Sequence, residues 1–122
     1  MPASSFSATV VTFRPNLPLF ERAVRSLAES VAHARAAGLV SDATLFVVDN
    51  GPPESRSAVQ RAAAQFGDAG RVEEIHGHGN VGYGRANNLV LPRLASDFHL
   101  VMLQVSRRRS TNVVQRHHPR LV

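Results

Sequence analysis

The chain has 122 residues with no cysteine and no lysine, and 43% of its residues are hydrophobic. This length fits one domain, and the apolar content supports a folded core rather than wholesale disorder. The lack of cysteine excludes disulfides, thiolate metal sites and a cysteine nucleophile. The lack of lysine excludes a Walker-A phosphate loop and a Schiff-base lysine.

The formal net charge of +5 is concentrated at one end of the sequence. Residues 1–103 contain nine arginines and all nine acidic residues, so this part is formally neutral. The excess comes from Arg107, Arg108, Arg109, Arg116 and Arg120. We therefore predict a neutral domain with a basic tail, and no nucleic-acid partner, because no aromatic stacking platform accompanies the tail.

Targeting and membrane signals are not apparent in the sequence. No basic residue precedes Arg14, and the apolar run at 8–13 is too short for the hydrophobic region of a signal peptide. No stretch approaches the roughly 18–20 apolar residues of a transmembrane helix. The sequence predicts a cytoplasmic protein without a transmembrane segment.

Short apolar runs alternate with amphipathic segments along residues 7–103. Strands are predicted at 8–13, 43–48, 71–75 and 98–103, and helices at 16–38, 54–66 and 85–94. The order β-α-β-α-β-α-β is typical of a mostly parallel sheet with helices on both faces, a three-layer Rossmann-like α/β fold. Ligands bind such sheets at the carboxyl ends of the strands, so we expect the site in the loops that begin at Arg14, Asp49 and His76.

The third of these loops contains four glycines within eight residues. Gly77, Gly79 and Gly82 match the spacing of the dinucleotide-binding fingerprint, and a strand, a glycine loop and a helix start can hold phosphates. That fingerprint normally follows the first strand, however, whereas this loop follows the third. An acid about 20 residues further on, which would bind a ribose, is missing as well. NAD binding and a glycine loop without any ligand therefore stay open as alternatives.

Three loop motifs taken together resemble the family-2 glycosyltransferases with the GT-A fold, and most of all their rhamnosyltransferase-type members. The motifs are Thr12-Phe13-Arg14, Asp49-Asn50-Gly51 and Asn80-x-Gly82-Tyr83-Gly84-x-Ala86-x-Asn88. The resemblance covers about residues 7–103, and the segment 98–103 is similar to the family's strand before its metal motif. It implies that residues 7–103 are a partial GT-A domain that binds a nucleotide sugar.

The resemblance implies a UDP- or dTDP-linked sugar as donor, with rhamnose as one candidate sugar, and a saccharide or lipid-linked acceptor. In that interpretation Thr12, Phe13 and Arg14 border the base and ribose. Asp49, followed by Asn50, accepts a hydrogen bond from the ring N–H of a pyrimidine base. The residues alone leave open a second role for Asp49, as a turn residue in an Asp-Asn-Gly loop.

The glycine-loop motif supplies the other residues implied by the resemblance. Gly82, Tyr83 and Gly84 would bring backbone close to the nucleotide, Arg85 would neutralise diphosphate charge, and Asn88 would fix the loop to its helix. For Arg85 the alternative is a solvated arginine in the first turn of a helix.

The sequence departs from the family after the fourth predicted strand. Family members have Asn-Pro-Asp or Asp-x-Asp there, which holds Mg²⁺ or Mn²⁺ on the donor diphosphate. This chain has Gln104-Val105-Ser106, and no acid follows Asp97. His76 and His78 lack a nearby carboxylate and form a weak metal pair.

These departures lead to predictions about cofactor, tail and activity. We identify no cofactor for this chain and expect Mg²⁺ or Mn²⁺ only in a full-length relative. Residues 104–122 are interpreted as a basic tail, out of frame or disordered, that ends a truncated donor-binding half. Sugar transfer, inverting by resemblance, is then not expected from this chain alone. The alternative function is a non-catalytic nucleotide-binding or interaction module.

Overall fold

A computed structural model of the protein describes residues 2–102 and 112–115. Its strands are β1 (Ser4–Thr12), β2 (Val40–Asp49), β3 (Arg71–Ile75), β4 (Phe98–Met102) and β5 (Asn112–Gln115). Its helices are α1 (Leu17–Ala36), α2 (Arg56–Ala63) and α3 (Tyr83–Asn88), with 3₁₀ turns at Pro53–Ser55, Ala64–Phe66 and Leu91–Arg93.

The strands form one sheet in the order β3-β2-β1-β4-β5. The pairs β1–β2, β1–β4 and β2–β3 are parallel, and β5 runs antiparallel to β4. Helices lie on both faces of this sheet, so the prediction of a mostly parallel, Rossmann-like α/β fold is confirmed. No helix in the described part of the chain is long and apolar enough to cross a membrane.

Helix α1 begins and ends at signals that are local in the sequence. The side chain of Asn16 accepts a hydrogen bond from the backbone N–H of Leu19 over 3.2 Å, as an N-cap does, and proline occupies the first turn. The helix ends before Gly38, whose φ of 76° is the left-handed conformation that follows many helices. Between these signals, Phe20, Val24 and Val31 turn toward the sheet and are buried.

The larger of two hydrophobic clusters lies between the sheet and helices α1 and α2. Phe20 and Phe66 are fully buried there, against β1 and β2 residues such as Val10 and Leu45. The smaller cluster lies on the opposite face, where Ala86 and Val90 cover Val11, Phe46 and Val48. The short α3 segment is therefore the second outer layer, and its packing fixes the loop that precedes it.

The α3 face of the sheet also contains a buried polar cluster. Both ring nitrogens of His99 bond to hydroxyls of β1: Nδ1 to Ser7 over 2.6 Å and Nε2 to Thr9 over 2.9 Å. The Ser7 hydroxyl lies 2.6 Å from that of Ser96, which precedes β4. These bonds satisfy polar groups that would otherwise be costly to bury. They also connect the two strands at the centre of the sheet.

Several elements differ in length from their predictions, such as β2, which is Val40–Asp49 rather than 43–48. Strand β1 begins at Ser4 rather than at residue 8. The prediction missed its first residues because Ser4, Ser5 and Ser7 are polar, so this stretch contains no apolar run. Helix α3 ends at Asn88 instead of extending to residue 94. Pro92 explains this end, since a proline ring collides with the carbonyl four residues earlier, which is that of Asn88.

The segment after residue 103 includes one element that the sequence did not predict. Strand β5 pairs with β4 between residues 112 and 115, within the tail for which no regular structure was expected. The remaining tail residues, and with them Gln104-Val105-Ser106, lie outside the described residues.

Gly70 provides a test of the packing between β2 and the start of β3. A Cβ at this position would lie 2.3 Å from the backbone oxygen of Ala43, an atom that cannot move without shifting β2. We expect Gly70→Ala to lower the free energy of unfolding by about 1–3 kcal/mol or more, in urea denaturation.

Gly38→Ala is the matched control for this variant. Gly38 has a positive φ, and a Cβ there would meet no atom within 4 Å, so the variant isolates backbone strain of about 1–2 kcal/mol. A Gly70→Ala protein as stable as wild type would contradict the close approach of the two segments.

Candidate functional site

The carboxyl ends of β1, β2 and β3 meet at one edge of the sheet. Thr12 of β1 lies opposite Asp49 of β2, and Val48 of β2 lies opposite Ile75 of β3. The backbone N–H of Asn50 donates to the carbonyl oxygen of Thr12 over 2.8 Å, so the β1–β2 ladder extends into the loop. The three loops that the sequence singled out therefore start side by side.

Asp49 closes the turn that follows β2. It is only 4% exposed, and its Oδ1 accepts hydrogen bonds from the backbone N–H of Gly51 over 2.8 Å and from the Thr12 hydroxyl over 3.3 Å. The first bond forms an Asx turn, so Asp49 does have the turn role that the sequence left open. Oδ1 is thereby occupied, which leaves Oδ2 as the carboxylate oxygen that a ligand would use.

Phe13 and Arg14 form an exposed surface next to this turn. The Phe13 side chain is 39% exposed, and the guanidinium carbon of Arg14 lies 5.7 Å from the centroid of its ring, within cation–π range. Arg14 also has a φ of 46°, the one positive φ outside glycine among the described residues. Such a conformation costs about 1–3 kcal/mol and is found most often at binding sites and clamps.

Asn50 connects the second loop to the third. Its side chain is 3% exposed, and its Nδ2 donates to the carbonyl oxygen of Gly82 over 3.2 Å. Its Oδ1 lies 2.7 Å from Nε2 of His78. The sequence placed Asn50 in the site but treated His78 only as half of a weak metal pair. No local pattern signals this contact, which spans 28 residues of sequence.

The glycine loop, residues 76–82, leads directly into helix α3, with Gly82 at the N-cap position. Gly82 has φ 84° and ψ 169°, a conformation essentially restricted to glycine, and its N–H donates to Oδ1 of Asn80 over 3.1 Å. Tyr83 is half-buried against the smaller cluster, and its hydroxyl lies 3.4 Å from the carbonyl oxygen of Met102, at the end of β4. Tyr83 therefore links α3 to the fourth strand.

The remaining predicted residues lie on the solvent side of α3. Gly84, Arg85 and Asn88 are exposed, and within the described residues neither Arg85 nor Asn88 makes a side-chain hydrogen bond or ion pair. Asn87, next to Asn88, donates from Nδ2 to the carbonyl oxygen of Tyr83 over 3.1 Å. The loop is thus fixed by Asn50 and by Asn80, while the Arg85 guanidinium is left available to an anion.

The described residues do not fit a divalent metal site. No group of three or more His, Asp or Glu side chains is close enough among them to hold an ion. His76 is exposed, and His78 is engaged with Asn50. The position at which family members carry their metal motif follows β4, is Gln104-Val105-Ser106 in this chain and lies outside the described residues, so we derive no step through a metal.

Gly82 and Gly84 offer a matched pair of substitutions two residues apart. We expect Gly82→Ala to lower the free energy of unfolding by about 1–3 kcal/mol, because alanine is strained at this φ and ψ. Gly84 is helical, and a Cβ there would meet no atom within 4 Å. Gly84→Ala is therefore expected to raise the free energy of unfolding by about 0.5–1 kcal/mol. Urea denaturation measures both, and a neutral or stabilising Gly82→Ala would contradict the loop geometry.

Comparison with known proteins supports the fold. No family model and no curated protein matches the chain. Among solved structures, the chain is similar to a mannosyltransferase from Pyrobaculum calidifontis in complex with GDP-Man and Mn²⁺, with a TM-score of 0.50 and 17% sequence identity. The match covers 83% of this chain and 27% of that one, so the chain spans about a quarter of the mannosyltransferase. The likeness is one of fold, an α/β sheet with helices on its faces.

Proposed function

We propose that residues 7–103 bind a nucleoside diphosphate sugar, as the donor-binding part of a family-2 glycosyltransferase with the GT-A fold. The observation that supports this most is the junction of β1, β2 and the glycine loop at one edge, where Asn50 bonds to both Thr12 and Gly82. The solved mannosyltransferase with this fold is in complex with GDP-Man, a ligand of the same chemical class.

Each part of the edge has a chemistry suited to one part of such a donor. The Phe13 ring with the Arg14 guanidinium offers a flat surface for a base, and Oδ2 of Asp49 is a charged acceptor for a base N–H. Across the edge, Arg85 offers a guanidinium without an ion pair among the described residues, which suits a diphosphate.

The identity of base, sugar and acceptor belongs to the proposal and follows the family resemblance. A pyrimidine donor, UDP- or dTDP-linked and with rhamnose as the candidate sugar, would give its ring N–H at position 3 to Asp49. Guanine also has a ring N–H on its pairing edge, so a carboxylate alone does not distinguish the two bases. The acceptor would be a saccharide or a lipid-linked saccharide.

The proposal is limited to donor binding for the described residues. We assign no residue to the transfer step, because neither a general base nor a set of metal ligands is identified among them. NAD binding is less favoured, since the loop after β1, with Phe13, Arg14, Pro15 and Asn16, has no glycine where the dinucleotide fingerprint belongs. A nucleotide-binding module without transfer activity would share the same site.

Thermal unfolding with added nucleotides tests the proposal. We expect UDP, dTDP or GDP to raise the melting temperature of the full chain in a concentration-dependent way, since a ligand that binds the folded state stabilises it. NAD and inorganic phosphate serve as controls. An equal shift with NAD would contradict donor binding, and no shift with any nucleotide at millimolar concentration would favour a chain without a nucleotide site.

Asp49→Asn tests the role of the carboxylate. The asparagine oxygen can still accept from the Gly51 N–H and keep the turn, but an NH₂ donor replaces Oδ2 and opposes the N–H of the base. We expect nucleotide affinity to fall by roughly one to two orders of magnitude in calorimetric titration, with little change in melting temperature. Unchanged affinity would show that Asp49 serves the turn alone.

A further inference from the structure

We propose that His78 and Asn50 form a clamp that fixes the glycine loop, with His78 as a positioning residue that does not itself contact the ligand. The clamp consists of the His78 imidazole, the Asn50 side-chain amide and the Gly82 carbonyl. Its effect on nucleotide affinity rests on the proposed function. Its effect on loop structure does not, so the two can be tested separately.

The hydrogen-bond directions in the clamp follow from one fixed acceptor. The carbonyl oxygen of Gly82 can only accept, so the Asn50 group 3.2 Å from it must be the NH₂. The Asn50 oxygen therefore faces His78, and Nε2 of His78 must donate to it over 2.7 Å. This assigns the Nε2–H tautomer to neutral His78, with Nδ1 unprotonated.

The surroundings of the other ring nitrogen of His78 favour the same tautomer. Nδ1 of His78 is buried and has no hydrogen-bond partner among the described residues. An unpartnered acceptor is less costly there than an unpartnered N–H would be, because buried donors are almost always paired. With its proton on Nε2, the ring thus donates from the nitrogen that faces an acceptor, the Asn50 oxygen.

The clamp holds the loop at two points. His78 is near its start and Gly82 at its end, and both bond to the single side chain of Asn50, which is itself fixed by its backbone bond to Thr12. Both ends of the loop are therefore tied to the segment that follows β2.

The sequence of the loop makes such a clamp necessary. Gly77, Gly79 and Gly82 all adopt φ between 73° and 87°, and glycine loses more conformational freedom on folding than any other residue. A loop of this composition has little intrinsic preference for one shape. The two bonds from Asn50 therefore select the shape in which the Gly82 carbonyl lies against the loop after β2.

Hydrogen exchange of the full chain tests the clamp directly. We expect His78→Ala to speed amide exchange by tenfold or more at Gly82 and Ala86, whose N–H groups bond to Asn80 and to the Gly82 carbonyl, while exchange in the core of β1 and β2 stays as in wild type. His78→Gln should restore most of the protection, because its side-chain NH₂ can donate to Asn50 as Nε2 does. His76→Ala, at an exposed position of the same loop, should change nothing.

A second measurement is independent of loop mobility. ¹⁵N NMR of histidine-labelled protein, recorded at a pH where the ring is neutral, should show His78 with a protonated Nε2 and an unprotonated Nδ1. The opposite tautomer, or equal exchange in wild type and His78→Ala, would overturn the clamp.

Nucleotide titration of the same variants separates the clamp from the proposed function. If the proposed function and the clamp are both correct, His78→Ala weakens UDP or GDP binding about tenfold and His78→Gln restores it. If wild type binds no nucleotide, the proposed function fails, while exchange and tautomer still decide the clamp. If wild type binds and His78→Ala binds equally well despite a loosened loop, the positioning role is wrong.

Discussion

The parallel pairing of β1 with β2 is the constraint on which the candidate site depends. Thr12 and Asp49 are the last residues of their strands and lie opposite each other, so a shift of register by one residue would separate them. The same pairing places the Asn50 N–H on the carbonyl of Thr12, and from there the Asn50 side chain reaches the glycine loop. Two buried strands thus determine where three loops meet.

The fold could be predicted from the sequence to a large extent, because its signals are local. Apolar β-branched runs mark β2 and most of β1, and Asn16 and Gly38 mark the limits of α1. The end of α3 also had a signal, Pro92, whose effect acts four residues upstream on Asn88. Strand β5 had none, since the two adjacent valines of Asn112–Gln115 are too short a run to show a period of two.

The candidate site was predictable in position but not in its contacts. The rule that ligands bind at the carboxyl ends of parallel strands identified Thr12, Asp49 and the glycine loop. Sequence spacing cannot show that the Asn50 amide and the His78 ring lie 2.7 Å apart, since that contact depends on the crossover through α2 from β2 to β3. The same holds for His99 with Ser7 and Thr9, where a polar cluster replaces the apolar packing expected of an inner strand.

The site combines buried and exposed groups in a way that suits a recognition surface. Thr12, Asp49 and Asn50 are buried and fixed by hydrogen bonds, whereas Phe13 and Arg85 are exposed. Fixed groups that are preorganised lower the entropic cost of binding, and exposed ones offer contact to a ligand.

Backbone amide NMR during titration with UDP or GDP tests the central claim most directly, because it locates the ligand. The account predicts chemical-shift changes at the ends of β1 and β2 and along the glycine loop, centred on Thr12, Asn50 and Gly82. Changes centred instead on the opposite edge of the sheet, around Ser5 and Arg71, or none at millimolar nucleotide, would contradict it.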